Sequence, residues 1–264
     1  MSESKNLSYS TYLKVDELLA LQQCESKPEE HDEMLFIVIH QTYELWFKQT
    51  LHELAKFQHN LEEAKVWEAI KTLKRILKIM KTLVNQVDIL ETMTPLDFNS
   101  FRGFLQNSSG FQSIQFRELE MLCGLRSKSM FDEKLHAAHH ITQLKERAQK
   151  NTIWESFISC LTILDFSVET PKRVNEYGLL FEHSEKNQHT FVELMKQNPK
   201  MALLCELLVD FDEGLQEWRY RHVKMVERTI GTKRGSGGSD GATYLRATLH
   251  QAIFPDLWAI RTLF

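Results

Sequence analysis

Two histidines lie on predicted helices among apolar side chains. His40 lies one helical turn from Phe36 and Tyr43, so its imidazole would share a mainly apolar, aromatic face. His222 lies one turn from Trp218, again on an apolar stripe. Either histidine alone is explained by hydrogen bonding within a core. Two of them on separate long helices favour a buried cofactor pocket, because imidazole is a common axial ligand for haem iron.

A single arginine stands in an aromatic segment, MTPLDFNSFRGFL. Arg102 has Phe98, Phe101 and Phe104 around it. Because an unpaired buried charge is costly, this guanidinium needs a partner. The partner is either an internal carboxylate, or solvent around an exposed head, or the carboxylate of a substrate held by a bidentate clamp.

Half of the ten glycines lie in one run, GTKRGSGGSDG, at residues 231–241, directly after a long helical pattern. Such a run is either a flexible linker or a loop whose backbone approaches a ligand closely. Neither G-x-G-x-x-G nor the P-loop pattern occurs in the chain, which excludes the usual dinucleotide and P-loop signatures. A di-iron bundle needs two E-x-x-H motifs, and only Glu133–His136 fits.

Helical periodicity dominates the elements that must position these residues. With 10 Gly and 5 Pro in 264 residues, long uninterrupted helices are expected, and apolar residues recur at steps of three and four. The order Thr94, Pro95, Asp97 predicts a helix start with an N-cap, a proline at the first position and an early acidic residue. The pattern predicts an all-α bundle with helices over 31–63, 65–91, 96–105, 111–123, 131–148, 152–164, 187–197, 200–208 and 211–230.

Composition limits the location and the partners of the protein. The formal charge of −4 comes from interleaved acidic and basic residues, which argues against a nucleic-acid partner. The four cysteines lie far apart without a C-x-x-C pair, as expected in a reducing cytoplasm. The polar N-terminus and the short apolar runs predict neither a secretion signal nor a membrane anchor.

Five segments, taken in order, resemble the tryptophan 2,3-dioxygenase family. They span almost the whole chain, and 165–200 carries the least of the resemblance. The segments are YSTYLKVDELL at 9–19, HDEMLFIVIHQTYELWFK at 31–48, TPLDFNSFRGFL at 94–105, SGFQSIQFRELE at 109–120 and WRYRHVKMVERTIGTKRGSGGSDGATYL at 218–245.

The resemblance implies an all-α fold, a large helical bundle that encloses a b-type haem, ferrous for activity. It implies a flexible N-terminus at 1–8 and a single dioxygenase domain at 9–264, with 165–200 as a helical insert. The implied reaction cleaves the indole C2–C3 bond of L-tryptophan with O2 to give N-formylkynurenine, the first step of the kynurenine pathway. The implied assembly is a cytoplasmic homotetramer.

The family pattern also implies roles for individual residues. His222 corresponds to the proximal haem ligand, and His40 to the distal, catalytic histidine that faces the indole N–H. Arg102 corresponds to the residue that pairs with the substrate carboxylate. The remaining implied substrate-binding residues are Phe36, Leu105, Ser109, Gly110 and Ser236, together with Tyr9 and Tyr12 from a neighbouring subunit.

Two departures from the family pattern concern the substrate side of the pocket. Ser236 stands where the family usually has Thr, so the hydroxyl is kept and a methyl group is lost. Asn107 and Ser108 stand where the family commonly has Pro-Ala. Three alternatives remain: an oxygenase of the same fold for a substituted tryptophan or another indole, a non-catalytic haem or tryptophan sensor, and a helical interaction protein without a cofactor.

Overall fold

The computed structural model describes residues 7–233, 235, 245–246, 248–249 and 251–264, and nearly all of its regular structure is helical. The α-helices are α1 Tyr9–Leu13, α2 Val15–Leu19, α3 His31–Glu62, α4 Val66–Leu90, α5 Pro95–Arg102, α6 Ile114–Leu122, α7 Ala138–Gln149, α8 Ile153–Ile163, α9 Glu185–Gln197, α10 Pro199–Ile230 and α11 Pro255–Ala259. Short 3₁₀ turns cover Gly103–Leu105, Gly110–Gln112, Lys128–Phe131 and Ile260–Leu263. The fold is therefore all-α, as predicted.

Three long helices form the frame of the bundle. α4 packs against both α3 and α10, and α3 also packs against α6 and α8. The main core lies between these helices, and its Phe57, Phe157 and Phe211 side chains have no accessible surface. α3 and α10 each contain 32 residues, about 48 Å at 1.5 Å per residue, so each can reach from this core to a second, smaller cluster around Ile39 and Phe101.

Local sequence sets the starts of several helices. The predicted start of α5 is confirmed: the Thr94 hydroxyl accepts a hydrogen bond from the Asp97 amide, the Asp97 carboxylate accepts one from the Thr94 amide, and Pro95 is the first helical residue. Asn198 caps α10 in the same position before Pro199. Capping residues and prolines in the sequence therefore set the starts of α5, which carries Arg102, and of α10, which carries His222.

Two predicted helices, 200–208 and 211–230, are one continuous helix in the structure. Just after the predicted gap at residues 209–210, Asp212 is fully buried. One carboxylate oxygen of Asp212 accepts hydrogen bonds from the amides of Ile253 and Phe254 and from the Trp258 indole. A chain segment distant in sequence thus satisfies the polar residue, and the helix continues through it.

Two other regions contain less helix than predicted. The helix expected over 131–148 begins only at Ala138, after the 3₁₀ turn Lys128–Phe131. In the expected helical insert 165–200, the first helical residue is Glu185. Residues Gly178–Leu179 instead form a two-residue strand, β2, antiparallel to β1 at Leu125–Arg126.

The N-terminal region lies on the outside of the bundle. Residues 1–6 fall outside the described part of the chain, so the expected flexible N-terminus at 1–8 stays a prediction. Helices α1 and α2 contain no buried residue. Among the described helices, none combines the length and the apolar character needed to cross a bilayer.

Candidate active site

A cavity of about 280 Å³ opens where the ends of the long helices meet α5 and α6. Its wall comes from α3, the end of α4, α5, the 3₁₀ turns that follow α5, α6 and the last third of α10. Most of the lining is apolar or aromatic, and a few charged side chains and two imidazoles interrupt it. An apolar concave wall with a few polar groups is the usual form of a small-molecule or cofactor site.

His40, on α3, lines this cavity. Its Nδ1 lies 2.7 Å from the backbone carbonyl oxygen of Phe36. A carbonyl only accepts hydrogen bonds, so Nδ1 carries the proton and Nε2 remains an acceptor. The His40 side chain has accessible surface, and because the residue lines the cavity, this surface opens into the cavity. Burial lowers the pKa of His40 from its usual 6.5, against the opposing effects of the Phe36 carbonyl and Glu44.

Arg102 lies at the end of α5, beside an aromatic wall. Its guanidinium carbon is 6.0 Å from the centre of the Phe98 ring. Phe36 completes the wall, with ring centres 5.9 Å from Phe98 and 5.5 Å from Phe101. The same wall is continuous with His40, since the Phe36 and His40 ring centres are 4.0 Å apart. An aromatic surface, an imidazole acceptor and a cation are thus brought together on one side of the cavity.

His222, on α10, is the second imidazole of the cavity wall. In the described part of the chain no hydrogen bond or ion pair joins its ring to another residue, and its ring stacks on Trp218 instead. Burial, followed by smaller effects of the nearby His40 and Arg117, lowers the pKa of His222 from 6.5 to about 4. The ring is therefore neutral at pH 7 and free to bind a metal through a nitrogen lone pair.

A buried cluster of three charges borders the cavity between α6 and α10. Glu120 lies 2.8 Å from Arg117 and 3.1 Å from Arg219, measured between carboxylate oxygens and guanidinium nitrogens. Arg219 also donates to the carbonyl oxygen of Thr248, at 3.1 Å. The three side chains are each less than 10 % exposed. Two guanidinium groups against one carboxylate leave this end of the cavity with a net positive charge.

The structure brings most of the predicted site residues together. Seven of them line the cavity: Phe36, His40, Arg102, Leu105, Ser109, Gly110 and His222. Tyr9 and Tyr12 do not line it, and their side chains are 79 % and 71 % exposed within this chain. The prediction for Ser236 lies outside the described residues, although Gly235 and Leu245 on either side of that segment contribute to the wall.

Arg117 and Glu120 are cavity residues that the sequence analysis did not single out. They are three residues apart on a helix whose other buried members include Ile114 and Leu119, and a charged pair at that spacing on an apolar face is the signal that could have found them. Their partner Arg219 comes from a helix about a hundred residues later. No spacing rule links the two helices.

Comparison with known proteins finds similarity to tryptophan 2,3-dioxygenases along almost the whole chain. The family model for tryptophan 2,3-dioxygenase matches residues 1–158 and 174–264. A tryptophan 2,3-dioxygenase of Herpetosiphon aurantiacus is 48 % identical over 258 residues, which cover 98 % of each chain. One from Anaeromyxobacter sp. (strain K) is 47 % identical over 98 % of this chain and 97 % of its own, and one from Kineococcus radiotolerans is 38 % identical over 98 % and 92 %.

The fold and the site define an all-helical protein whose apolar cavity is bordered by two neutral imidazoles and a buried cationic cluster. An imidazole in an apolar pocket is a common axial ligand for haem iron. Together with the matches along the whole chain, this establishes that the protein belongs to the tryptophan 2,3-dioxygenase family. The unmatched stretch, 159–173, overlaps the region of weakest resemblance.

Proposed function

We propose that this protein is a haem-dependent dioxygenase that cleaves the indole C2–C3 bond of L-tryptophan with O2 and forms N-formylkynurenine. Membership of the family supports the activity. The assignment of the site rests on one observation: His222, His40 and Arg102 line the same cavity. Among the described residues the His222 ring has no hydrogen-bond partner, and Nε2 of His40 can accept a hydrogen bond.

The residues of the cavity fit a b-type haem. A neutral imidazole with a free lone pair is the expected iron ligand, and His222 provides it. Arg117 and Arg219, which share the carboxylate of Glu120, would hold the anionic propionate groups of the macrocycle. The apolar remainder of the wall suits its hydrocarbon surface. When bound in the ferrous form, haem supplies the binding and activation of O2.

His40 would orient the indole ring. Its Nδ1 is engaged by the Phe36 carbonyl, so Nε2 can accept a hydrogen bond from the indole N–H. The lowered pKa of His40 keeps the ring neutral at pH 7. Because the indole N–H is a very weak acid, a neutral imidazole of lowered pKa acts as a hydrogen-bond acceptor that fixes the ring position and not as a base that removes the proton.

Arg102 and the aromatic wall would position the two ends of tryptophan. The guanidinium can pair with the substrate carboxylate in a bidentate arrangement. Phe36, in contact with His40 and Phe98, gives the indole a flat apolar surface. The reaction is therefore largely a positioning task for the protein, and it takes place where apolar side chains keep water away.

We also propose that the N-terminal region completes the site of a neighbouring subunit in a homotetramer. Within one chain, Tyr9, Tyr12 and Leu19 each expose more than two thirds of their surface, and neither α1 nor α2 buries a residue. Apolar and aromatic side chains on a surface helix are typical of an interface. A second copy of this chain is the partner that the family resemblance favours. A cytoplasmic location belongs to the same proposal and is supported by four cysteines that all remain free thiols.

A comparison of two histidine variants tests the proposed function. The wild-type protein, purified after haem-replete expression, should carry a haem absorption band and should produce formylkynurenine absorbance from tryptophan and O2. His222→Ala should lose both. His189→Ala, which changes an exposed histidine on α9, is the matched control and should retain both.

Three results would contradict the proposal. A colourless wild-type protein would indicate a helical interaction protein. A coloured protein that binds tryptophan without turnover would indicate a sensor. A coloured protein that converts only substituted indoles would indicate an oxygenase with a different substrate.

A further inference from the structure

Trp218 lies directly against His222. The two residues are one turn apart on α10, their ring centres are 5.2 Å apart, and their planes differ by 17°. This is a nearly parallel stack that covers one face of the imidazole. No other ring stacks on His222 among the described residues, so the indole is its principal aromatic neighbour.

The indole itself is held firmly. Trp218 is 8 % exposed, and rings from two other helices pack around it. Its ring centre lies 4.9 Å from Phe116, 6.2 Å from Phe47 and 6.3 Å from Tyr43. Tyr43 is in turn fixed by its hydroxyl, which donates to the carbonyl oxygen of Leu83 at 2.9 Å. A side chain packed on three sides has little freedom to rotate, so it can act as a rigid support.

A metal-binding histidine is usually oriented by a hydrogen bond from its second ring nitrogen to a carboxylate or a carbonyl group. His40 has such a bond, to the Phe36 carbonyl. In the described part of the chain His222 has none. Among the described residues, packing is what orients the His222 ring, and the stacked indole of Trp218 is its aromatic contact.

We propose that Trp218 is the positioning residue of His222, and that its stacked indole takes the place of the usual hydrogen bond in fixing the rotation of the imidazole toward the iron. The inference rests on the proposed function, since it takes His222 as the ligand of haem iron. It deepens that function by assigning the support of the ligand to an aromatic stack. An imidazole held without a hydrogen-bonded carboxylate also stays a weaker electron donor, because no anion increases its basicity.

The test compares a variant that keeps a stacking ring with one that removes it. In Trp218→Phe a ring still stacks on His222, whereas in Trp218→Leu it does not. The first measurement is the resonance Raman band of the iron–histidine stretch in the ferrous protein without substrate. The second is the rate at which haem passes to excess apomyoglobin. Phe211→Leu is the control, because Phe211 is fully buried on the same helix and does not line the cavity.

For Trp218→Leu we expect a broadened or split iron–histidine band and a haem release roughly 10–100-fold faster than in the wild type. Trp218→Phe should keep a single band and a release rate close to that of the wild type. Phe211→Leu should lower the unfolding midpoint and leave the band unchanged. If Trp218→Leu does not fold, Trp218→Met removes the ring with an unbranched, flexible side chain that fills irregular gaps, and the same expectations apply.

The inference is overturned if the ring-removing variant keeps the wild-type band and release rate, or if Phe211→Leu alters the band as much as Trp218→Leu does. Equal changes in Trp218→Phe and Trp218→Leu would also overturn it, because stacking would then not be the cause. If the wild-type protein takes up no haem, the proposed function and this inference fail together. If it takes up haem and only the band comparison fails, the proposed function stands alone.

Discussion

Removing the negative charge of Glu120 should destabilise the folded protein strongly. Glu120→Gln keeps the size of the side chain and one acceptor oxygen, so the change isolates the charge. The carboxylate lies 2.8 Å from Arg117 and 3.1 Å from Arg219, and the three side chains are 5–8 % exposed. Without it, two buried guanidinium groups face each other and retain only neutral acceptors, among them the Thr248 carbonyl for Arg219.

The expected cost is about 3–5 kcal/mol, the usual loss when one partner of a buried ion pair is removed. That is a large share of the roughly 5–15 kcal/mol by which a typical protein is stable. The matched control is Glu217→Gln, which breaks the pair with Lys81, whose side chain is 63 % exposed. An exposed pair of this kind contributes about 0–1 kcal/mol.

Urea unfolding followed by far-ultraviolet circular dichroism measures both variants, at equal haem loading, because bound ligand adds to apparent stability. The reasoning about the buried cluster is refuted if Glu120→Gln loses less than about 1 kcal/mol, or no more than Glu217→Gln.

Three further predictions concern the site. Because burial lowers the pKa of His222 to about 4, the imidazole stays neutral as the pH falls through 6.5. Acid titration of the haem absorption band should therefore give a midpoint at or below about 4. A midpoint near 6.5 would contradict this prediction. Arg102→Ala should cost about 2–5 kcal/mol of productive tryptophan binding, seen as a lower kcat/KM with an unchanged haem band, and an unchanged kcat/KM would exclude the clamp. Tyr12→Ala should raise KM for tryptophan and leave haem loading intact, and loss of haem would instead make Tyr12 a structural residue.

Much of the fold could be predicted because its signals are local. The starts of α5 and α10 depend on caps and prolines within four residues, and the long helix over 31–62 depends on periodic apolar spacing without an interrupting Gly or Pro. The errors occurred where a distant segment decides the local structure. The carboxylate of Asp212, next to the predicted gap at 209–210, accepts hydrogen bonds from backbone amides some forty residues later, and α10 runs through this region without a break.

Some residues of the site could likewise be predicted from local sequence, and others could not. His40, Arg102 and His222 could be singled out because each is a polar residue on an apolar face in the sequence, and all three line the cavity. The cluster of Arg117, Glu120 and Arg219 could not be predicted as a unit. Arg219 pairs with Glu120 only after α6 and α10 pack together. Arg219, three residues before His222 on α10, lies in the same cavity wall.

The central claim is that this cavity inserts both atoms of O2 into tryptophan. The most direct measurement supplies ¹⁸O₂ to the purified, haem-loaded protein with L-tryptophan and determines the product mass. The expected product is N-formylkynurenine that carries two ¹⁸O atoms from one O2 molecule. A product with a single ¹⁸O atom, such as an oxindole, or no oxygenated product at all, would contradict it.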